Sequence, residues 1–329
     1  MNKLSIATYN SHQFENIFDQ IFDDKIDDDS IKDFLLEINH HHIPTNAISG
    51  AVRALKKRMI KVPHHHDALD VCGTGGDKLN TLNISTAVAI ALASAGIKIA
   101  KHGNRAVSSK SGSADIFSHL RINFSDNITN IDRYLRDFNL SFLFAPYFHP
   151  SLKRLANIRK SINEPTIFNY IGPLLNPTEP NYQMIGVSKF EMMPKLAEVL
   201  LKINPNIKAY LICGFDGMDE ITISDNSYLL EINHGKILPI SIIDPTNYGI
   251  EKCALSEIIG GDPEYNATKM LELFSGVTSR YLDIVALNCA FALKLVGRFE
   301  DIDPAIIFAK NIIQNSSLEL LTKLSDLTS

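Results

Sequence analysis

Apolar residues in the first sixty positions recur every three to four residues, which is the period of an amphipathic helix. The pattern occurs in three blocks and predicts three short helices, the second of them capped at its N-terminus by Ser30. The apolar positions are Phe14, Ile17, Phe18, Ile21 and Phe22, then Ile31, Phe34, Leu35 and Ile38, then Ile48, Ala51, Val52, Leu55 and Met59. Helices this short need a partner for their apolar faces, so we expect them to pack on one another or on a second subunit.

The pattern changes at Ala68, where short β-rich runs begin to alternate with helical segments. Such alternation is typical of an α/β domain with a central, mostly parallel sheet flanked by helices. Strands are predicted at 68–72, 97–100, 141–144, 183–187 and 209–213, and a hairpin from 221–223 and 228–232. We predict a small all-helical domain at 1–66, completed by about 152–180, and a large α/β domain at 67–329, with a hinge at 166–177.

The composition is that of an ordinary globular protein, with 45% apolar and 21% charged residues. A net charge of -5 argues against nucleic acid or an anionic membrane surface as a partner of the whole chain. The N-terminus has no apolar signal region, and no stretch is long enough to span a membrane. The four cysteines lie far apart and form no C-x-x-C pair. We therefore expect a cytoplasmic protein with reduced cysteines and no membrane partner.

Two neighbouring segments have the composition of phosphate-binding sites. The run DVCGTGGD at 70–77 follows a predicted strand, and its glycines leave backbone amides open to a phosphate. Residues 80–86 precede an apolar helix, whose N-terminal amides and the hydroxyls of Ser85 and Thr86 would form a second anion site. Each segment alone could be a plain glycine turn or a helix cap. Together they suit a ligand with a phosphate at each end.

Two later segments add charge at the ends of other predicted strands. The run KHGNRAVSSKSGS at 101–113 places Lys101, Arg105 and Lys110 where ligands bind in open α/β sheets. The run CGFDGMDE at 213–220 places Asp219 and Glu220 side by side after another strand. Adjacent carboxylates can bind Mg²⁺ together with the phosphates of a substrate. A basic loop or an Asp-Glu pair is weak evidence alone, but their combination predicts a magnesium-dependent site for a phosphorylated ligand.

Together and in the same order, the four segments resemble the sequence pattern of the anthranilate phosphoribosyltransferase family. That pattern comprises GTGGD, N-x-S-T, KHGNRxVSSKSGSAD, FAPxxHP, an arginine before TIFN-x-x-GPLxNP, and DGxDE, and every part is present in this chain. The resemblance covers roughly residues 30–300 and includes GGD at 260–262 and Asn266. The departures from the pattern are Lys78, Leu79, Phe148 and Cys213.

This resemblance implies both a fold and an activity. The fold would be of the nucleoside phosphorylase/phosphoribosyltransferase type. The activity would be that of a magnesium-dependent pentosyltransferase, which moves the 5-phosphoribosyl group from phosphoribosyl pyrophosphate (PRPP) to the amine of anthranilate in tryptophan biosynthesis. The products would be N-(5-phosphoribosyl)anthranilate and pyrophosphate. The resemblance also implies two Mg²⁺ ions per subunit and a homodimer formed through the N-terminal helical domain.

The same resemblance implies roles for individual residues. Asn104, Arg159 and the Gly73 backbone would bind anthranilate, and the planar guanidinium of Arg159 suits a carboxylate. Magnesium would be bound by Ser85, Asp219 and Glu220. The residues implied for PRPP are Gly73, Gly76, Asp77, Thr81, Asn83, Ile84, Ser85, Thr86, Lys101, His102, Gly103, Asn104, Arg105, Ala106, Val107, Ser108, Ser109 and Ser113. The residues themselves offer no compelling general base; His102 is a candidate, but a structural histidine on a loop is at least as plausible.

Three other interpretations remain open at this point. A pyrimidine-nucleoside phosphorylase shares the architecture, but the KHGNR run argues against it. A non-catalytic relative that binds nucleic acid could use basic residues of the third helix, which otherwise form its solvent-exposed face. Those residues are Arg53, Lys56, Lys57, Arg58 and Lys61. The histidine runs at 40–42 and 64–66 could bind a metal, but consecutive loop histidines rarely converge on one ion.

Overall fold

The structure, a computed structural model, describes residues 6–106, 110–124 and 128–327. The α-helices are α1 (Ser11–Phe22), α2 (Asp28–His40), α3 (Thr45–Lys56), α4 (Ile84–Ser94), α5 (Ser113–His119), α6 (Ile128–Asp137), α7 (Ala145–Phe148), α8 (Leu155–Ser161), α9 (Met193–Ile203), α10 (Pro263–Phe274), α11 (Arg280–Leu295), α12 (Ile302–Asn315) and α13 (Ser317–Asp326). The strands are β1 (Leu69–Gly73), β2 (Ile99–Gly103), β3 (Leu140–Phe144), β4 (Tyr182–Gly186), β5 (Lys208–Gly214), β6 (Ser227–Asn233), β7 (Lys236–Ile237) and β8 (Ser241–Ile243).

The strands form one sheet. Strands β1 to β5 run parallel in the spatial order β3-β2-β1-β4-β5, and the antiparallel strand β6 continues the sheet beyond β5. The short strands β7 and β8 both pair with β6 in the antiparallel sense. The prediction of an α/β fold with a mostly parallel central sheet is therefore confirmed.

Helices cover both faces of this sheet. Because neighbouring residues of a strand point to opposite faces, Val71 packs with α4 and α11, whereas Cys72 packs in the core shared by α1, α2 and α3. Helix α4 is apolar around most of its circumference, and Thr86–Ala93 is almost entirely inaccessible to solvent, as expected for a helix in the middle of a layer. The parallel strands thus lie between two helical layers, with only their ends open to ligands.

The three N-terminal helices pack on one another, as the sequence predicted. Phe14 and Phe18 of α1 lie on Phe34 of α2, with ring centroids 6.3 and 5.5 Å apart. The same core continues into the predicted hinge through Phe168, whose ring lies 6.0 Å from that of Phe18. Most of segment 166–177 is buried, so it is an anchored part of the fold in this structure.

Two local expectations are wrong. The predicted hairpin partner 221–223 is not a strand; β6 pairs with β5 instead, with Gly214 opposite Ser227. The N-cap of α2 is Asp27, three residues before Ser30, because the Asp27 side chain accepts a hydrogen bond from the Ser30 amide at 2.9 Å. The Ser30 hydroxyl donates to the same carboxylate and so supports the cap from the first turn.

The structure also bears on the predictions that the cysteines are reduced and that no segment spans a membrane. Cys72, Cys213, Cys253 and Cys289 are all free thiols, and three of them are buried. Within the described parts of the chain, no helix combines the length and the apolar character needed to cross a membrane.

Candidate active site

The sheet order creates an opening beside β1. The neighbours of β1 are β2 on one side and β4 on the other, so the chain reverses its winding direction here. Ligands bind at the carboxyl ends of strands at such a reversal. A cleft of about 330 Å³ lies at this place. It is lined by the predicted residues Gly73, Gly76, Asp77, Thr81, Asn83, Ile84, Ser85, Lys101, His102, Gly103, Asn104, Arg105, Ala106, Ser113, Arg159, Asp219 and Glu220.

The glycine loop after β1 lies against the carboxylate of Asp219. The Gly75 amide donates a hydrogen bond to Asp219 Oδ2 at 2.7 Å, and a Cβ atom on Gly73 would clash with that oxygen. Gly75 and Gly76 have φ angles of +66° and +82°, which residues with side chains rarely adopt. The close approach of Asp219 therefore requires glycine at position 73, and the positive φ angles favour glycine at positions 75 and 76.

The N-terminus of α4 opens into the cleft. Its N-cap residue is Asn83, whose side chain does not cap the helix. In the first turn, the Ser85 amide donates to Glu220 Oε1 at 3.1 Å. Thr86 is fully buried and does not line the cleft; its hydroxyl donates to Ser113 Oγ at 3.0 Å. The remaining first-turn amides and the helix dipole make this end of α4 a favourable place for an anion.

Asn83 is held by three parts of the chain that are distant in sequence. Its Nδ2 donates to the Ser111 carbonyl at 3.1 Å, and its Oδ1 accepts from Asn266 Nδ2 at 2.8 Å. Its carbonyl accepts from the Tyr281 hydroxyl at 3.1 Å. The start of α4 is thus fixed from several sides without a ligand.

Lys101 is the buried cation of the site, with 1% of its surface exposed. Its Nζ donates to the Val71 carbonyl at 2.5 Å and to Ser85 Oγ at 3.1 Å. Burial lowers the pKa of Lys101, and the charges of Asp70 and Glu220 oppose that shift. An ammonium group has three protons, so one remains for an anion beside the α4 N-terminus.

Asp219 and Glu220 form a buried pair of carboxyl groups. Burial raises the pKa of Asp219 to about 7, and the charge of Asp77 raises it further. Burial also raises the pKa of Glu220 to about 8, with a contribution from the Asp219 charge. Ionising both groups at neutral pH is costly unless a cation neutralises them.

The donor set around this pair fits a magnesium ion. Asp219, Glu220 and the Ser85 hydroxyl all line the cleft and carry oxygen atoms, the ligand type that Mg²⁺ prefers. Among the described residues, no group of three or more His, Cys, Asp or Glu side chains could hold a metal ion by itself. A magnesium site here would therefore take further ligands from water and substrate phosphates. His64 and His65, from a histidine run, instead contact carboxylates of different residues, at 3.1 and 2.7 Å.

The raised carboxyl pKa values predict a pH effect on the metal-free protein. Folded Asp219 and Glu220 retain protons that the unfolded chain releases near pH 4, so their contribution to stability is lost as the pH rises towards about 8. We expect the Tm of the metal-free protein to fall, relative to a D219N/E220Q double variant, as the pH rises from about 5 to about 8, because the unfolded chain has released both protons by then while the folded protein releases them only near pH 7 and 8. Differential scanning calorimetry would measure this, and parallel Tm profiles would contradict the raised pKa values.

The loop after β2 is organised by Asp115. The Arg105 guanidinium lies 3.1 Å from Asp115 Oδ1, and the amides of Ala106 and Gly112 donate to Oδ2 at 2.9 and 3.0 Å. A Cβ on Gly112 would lie 2.5 Å from the Ala106 nitrogen, so the two ends of the loop approach closely. The predicted ligands Val107, Ser108 and Ser109 lie outside the described residues.

Arg159 lies in the last turn of α8 and lines the same cleft. Its guanidinium carbon is 5.8 Å from the centroid of the Phe168 ring. Burial lowers the pKa of Arg159, and no carboxylate among the residues described forms an ion pair with it. A desolvated guanidinium beside an aromatic ring is well suited to a planar carboxylate ligand.

His102 forms a buried pair with His149. The two Nε2 atoms are 3.2 Å apart, so one must donate a hydrogen bond and the other accept it. Burial lowers the pKa of His102 to about 3 and that of His149 to about 4. His102 is therefore neutral, has one ring nitrogen engaged, and is a poor proton acceptor in this arrangement.

A polar network behind the cleft was not predicted. Asp70 is fully buried; its Oδ1 accepts from the His102 amide at 3.1 Å and its Oδ2 from Asn176 Nδ2 at 2.9 Å. Asn176 also donates to the Ala100 carbonyl at 2.8 Å. The network joins β1, β2 and segment 166–177. Asp70 lies in the DVCGTGGD run and Asn176 in the GPLxNP motif. A motif, however, does not show which of its residues contact a ligand and which support those that do.

The basic residues predicted for the third helix lie in α3 and just after it, and they are largely paired with carboxylates. Arg53 and Lys57 contact Glu15 at 3.0 and 2.6 Å, and Lys56 contacts Glu179 at 2.6 Å. Arg58 pairs with Asp19 and Asp23. These pairs neutralise much of the charge that a nucleic-acid site would need.

Sequence comparisons place the chain among known enzymes. A profile described as "Glycosyl transferase family, a/b domain" matches residues 65–317. The anthranilate phosphoribosyltransferase of Bacillus cereus strain B4264 is 40% identical over 306 residues, which cover 93% of this chain and 89% of that protein. The enzyme of the same name from Thermoanaerobacter sp. strain X514 is 41% identical over 279 residues, covering 84% and 82%.

Solved structures agree with this assignment. Anthranilate phosphoribosyltransferase from Thermus thermophilus superimposes with a TM-score of 0.90 at 25% identity, covering 100% of this chain and 99% of that one. The Saccharomyces cerevisiae enzyme in complex with PRPP and Mg gives a TM-score of 0.89 at 26% identity, covering 97% and 93%. With relatives 40% identical along most of its length, this chain belongs to the anthranilate phosphoribosyltransferase family.

Proposed function

We propose that this protein transfers the 5-phosphoribosyl group of PRPP to the amine of anthranilate and releases pyrophosphate, a step of tryptophan biosynthesis. The observation that carries the proposal is that groups suited to anions and a carboxylate pair suited to a cation line the same cleft. The cleft is lined by anion-binding loops, by a carboxylate pair and by Arg159, which has no carboxylate partner among the described residues. These groups complement a phosphorylated substrate, a divalent cation and an aromatic carboxylate.

We assign PRPP to the glycine loop, the α4 N-terminus and the loop after β2. Backbone amides of the first two elements and the Lys101 ammonium would bind its phosphate oxygens. The proposed PRPP residues are those implied by the family resemblance, from Gly73 to Ser113. Thr86 would act indirectly, because its hydroxyl is used to hold Ser113.

We assign magnesium to Asp219, Glu220 and Ser85, with two ions per subunit. The raised pKa values of the two carboxyl groups support this assignment, since a cation would allow both to ionise. When bound, Mg²⁺ supplies charge neutralisation to the pyrophosphate leaving group. The carboxylates, fixed by the Gly75 and Ser85 amides, would keep that charge beside the anion-binding loops.

We assign anthranilate to Arg159, Asn104 and the Gly73 backbone. The Arg159 guanidinium would bind the anthranilate carboxylate, and the Phe168 ring would supply an apolar surface for the benzene ring. Binding in this orientation would direct the amine towards C1 of the ribose. Such positioning can contribute up to about 7–11 kcal/mol to lowering a barrier.

The reaction then needs one bond exchange and one proton loss. The amine nitrogen forms a bond to C1 while the bond from C1 to pyrophosphate breaks, and the nitrogen releases one proton to the departing pyrophosphate or to water. Lys101 and the loop amides stabilise the negative charge on the departing pyrophosphate. We propose that rate acceleration comes mainly from charge neutralisation and positioning, because His102 is neutral, buried and bonded to His149.

Replacement of His102 tests this view of the base. His102→Gln should lower kcat by less than about tenfold, because removal of a true general base typically costs about 10²–10⁴-fold. The glutamine can still form a hydrogen bond with His149. Steady-state kinetics at saturating PRPP and anthranilate would measure the effect. A loss beyond about 100-fold with PRPP affinity retained would identify His102 as the base.

We further propose that the protein is a cytoplasmic homodimer whose subunits contact each other through the N-terminal helical domain. This domain would comprise residues 1–66, completed by segment 152–180, and residues 67–329 would form the catalytic domain. The contact between the rings of Phe18 in α1 and Phe168 supports this grouping. Its partners would be PRPP and anthranilate, with no nucleic acid or membrane. Light scattering on the purified protein would test the dimer.

The first test of the activity is a fluorescence assay of anthranilate consumption. Purified protein with PRPP and Mg²⁺ should consume anthranilate, and addition of EDTA should stop the reaction. If anthranilate is stable with protein, PRPP and Mg²⁺ together, the proposed function is wrong.

A further inference from the structure

Helix α11 contacts the two halves of the candidate site, which are the segment that carries the carboxylate pair and the N-terminus of α4. Its residues Tyr281 and Asn288 are seven positions apart, which places them about two turns apart on the same face of the helix. Both are buried, with 3% and 0% of their surfaces exposed. Neither lines the cleft. Each contacts a residue that belongs to, or directly follows, the proposed ligand-binding groups.

Asn288 binds both polar groups of a single residue's backbone. Its Oδ1 accepts a hydrogen bond from the Ile221 amide at 3.0 Å, and its Nδ2 donates to the Ile221 carbonyl at 2.9 Å. The Nδ2 also donates to the carbonyl of Ile284, one turn earlier in α11, at 2.9 Å. This last contact fixes the side chain relative to the helix. Ile221 lies in no strand and is fully buried, so its backbone amide and carbonyl need hydrogen-bond partners. Asn288 supplies both partners, as a neighbouring strand would.

Tyr281 makes the corresponding contact with the other half. Its hydroxyl donates to the carbonyl of Asn83, the residue at the N-cap of α4. Ser85, two residues further along, is a proposed magnesium ligand. Ile221 directly follows Glu220, another proposed ligand. One helix therefore binds the backbone next to both the hydroxyl and the carboxylate ligands.

We propose that Tyr281 and Asn288 are positioning residues that set the spacing between the carboxylate pair and the α4 N-terminus. The inference rests on the proposed function. The direct contact between the two halves, from the Ser85 amide to Glu220 Oε1, uses a carboxylate that would also bind the cation. That contact alone is therefore a poor determinant of the spacing. The contacts from α11 are made to backbone groups that none of the proposed ligands uses, so ligand binding does not require them to break.

The test compares Asn288→Ala with Val285→Ala. Val285 is a fully buried residue of the same helix, so its truncation controls for loss of core stability. Isothermal titration calorimetry would measure the affinity for PRPP in the presence of Mg²⁺. Asn288→Ala should weaken it by at least about tenfold, since small displacements of binding groups have large effects. Val285→Ala should change it by less than about threefold at a comparable loss of Tm.

Two further measurements separate positioning from general stability. In the metal-free protein, amide hydrogen exchange at Ile221 should accelerate in Asn288→Ala and not in Val285→Ala, because only the first removes its acceptor. The KM for anthranilate should change by less than about threefold in both variants, since Arg159 lies in α8 and both substitutions lie in α11. Tyr281→Phe, which removes only the hydroxyl, should weaken PRPP binding by about threefold to tenfold and tests the proposal even if Asn288→Ala does not fold.

Unchanged PRPP affinity in Tyr281→Phe, or equal losses in Asn288→Ala and Val285→Ala, would overturn the positioning role. Failure of the wild-type protein to bind PRPP with Mg²⁺ is a different result. It would overturn the proposed function, and the positioning role with it.

Discussion

Exchange of both proposed metal-binding carboxylates, in an Asp219→Asn/Glu220→Gln double variant, should lower kcat/KM for PRPP by at least about 10³-fold. The amides keep nearly the same volume but remove the two charges that would hold the cation against the glycine loop and the α4 N-terminus. A loss of this size corresponds to about 4 kcal/mol of transition-state stabilisation, which is within the range for metal-assisted chemistry. Initial rates of anthranilate fluorescence loss at varied PRPP would measure it.

The matched control for this variant is Asp225→Asn. Asp225 is an acidic residue near the pair in sequence, but it lies outside the cleft and contacts Lys252 at 3.6 Å. Its exchange should change kcat/KM by less than about twofold. Substantial activity in the double variant, still dependent on Mg²⁺, would show that the cation is bound elsewhere.

Truncation of Arg159 should weaken the binding of anthranilate. Arg159→Ala should raise the KM for anthranilate by about 100-fold, because two hydrogen bonds between charged groups would be lost at about 1.5 kcal/mol or more each. Arg159→Lys should recover only part of that loss, since an ammonium group lacks the planar pair of donors. Kinetics at varied anthranilate and saturating PRPP would measure both variants.

A nearby cation serves as the control for Arg159. Lys160 follows Arg159 in α8 and is exposed, so Lys160→Ala should leave the KM for anthranilate within about twofold of the wild-type value. PRPP affinity should be unaffected in Arg159→Ala. A parallel loss of PRPP affinity, or an unchanged KM for anthranilate, would place the carboxylate of anthranilate somewhere else.

The arrangement of the sheet was predictable because its signals are local. Apolar runs of strand length mark β1 to β5, and the predicted strands overlap the observed ones, with differences confined to their ends. The hairpin prediction failed because Ile221 and Ile223 are apolar enough for a strand, while their pairing depends on distant residues. Strand β6 takes the free edge of β5, and Asn288, 67 positions away, binds the Ile221 backbone. A local pattern contains no information about such a partner.

The candidate site followed from short motifs for a geometric reason. Loops after neighbouring parallel strands meet at one edge of the sheet, so segments separate in sequence converge in the cleft. Supporting residues such as Asp70 and Asn176 could not be recognised, because their contacts become visible only in the folded chain. The same holds for His102, for which the sequence left a base and a structural role open. Its burial against His149 is a property of the tertiary structure.

A mass balance on the wild-type protein tests the proposed phosphoribosyl transfer directly. With anthranilate, PRPP and Mg²⁺, we expect one pyrophosphate released for each anthranilate consumed, and a product with the mass of N-(5-phosphoribosyl)anthranilate. Phosphate-dependent cleavage of a pyrimidine nucleoside, with anthranilate left unconsumed, would contradict it.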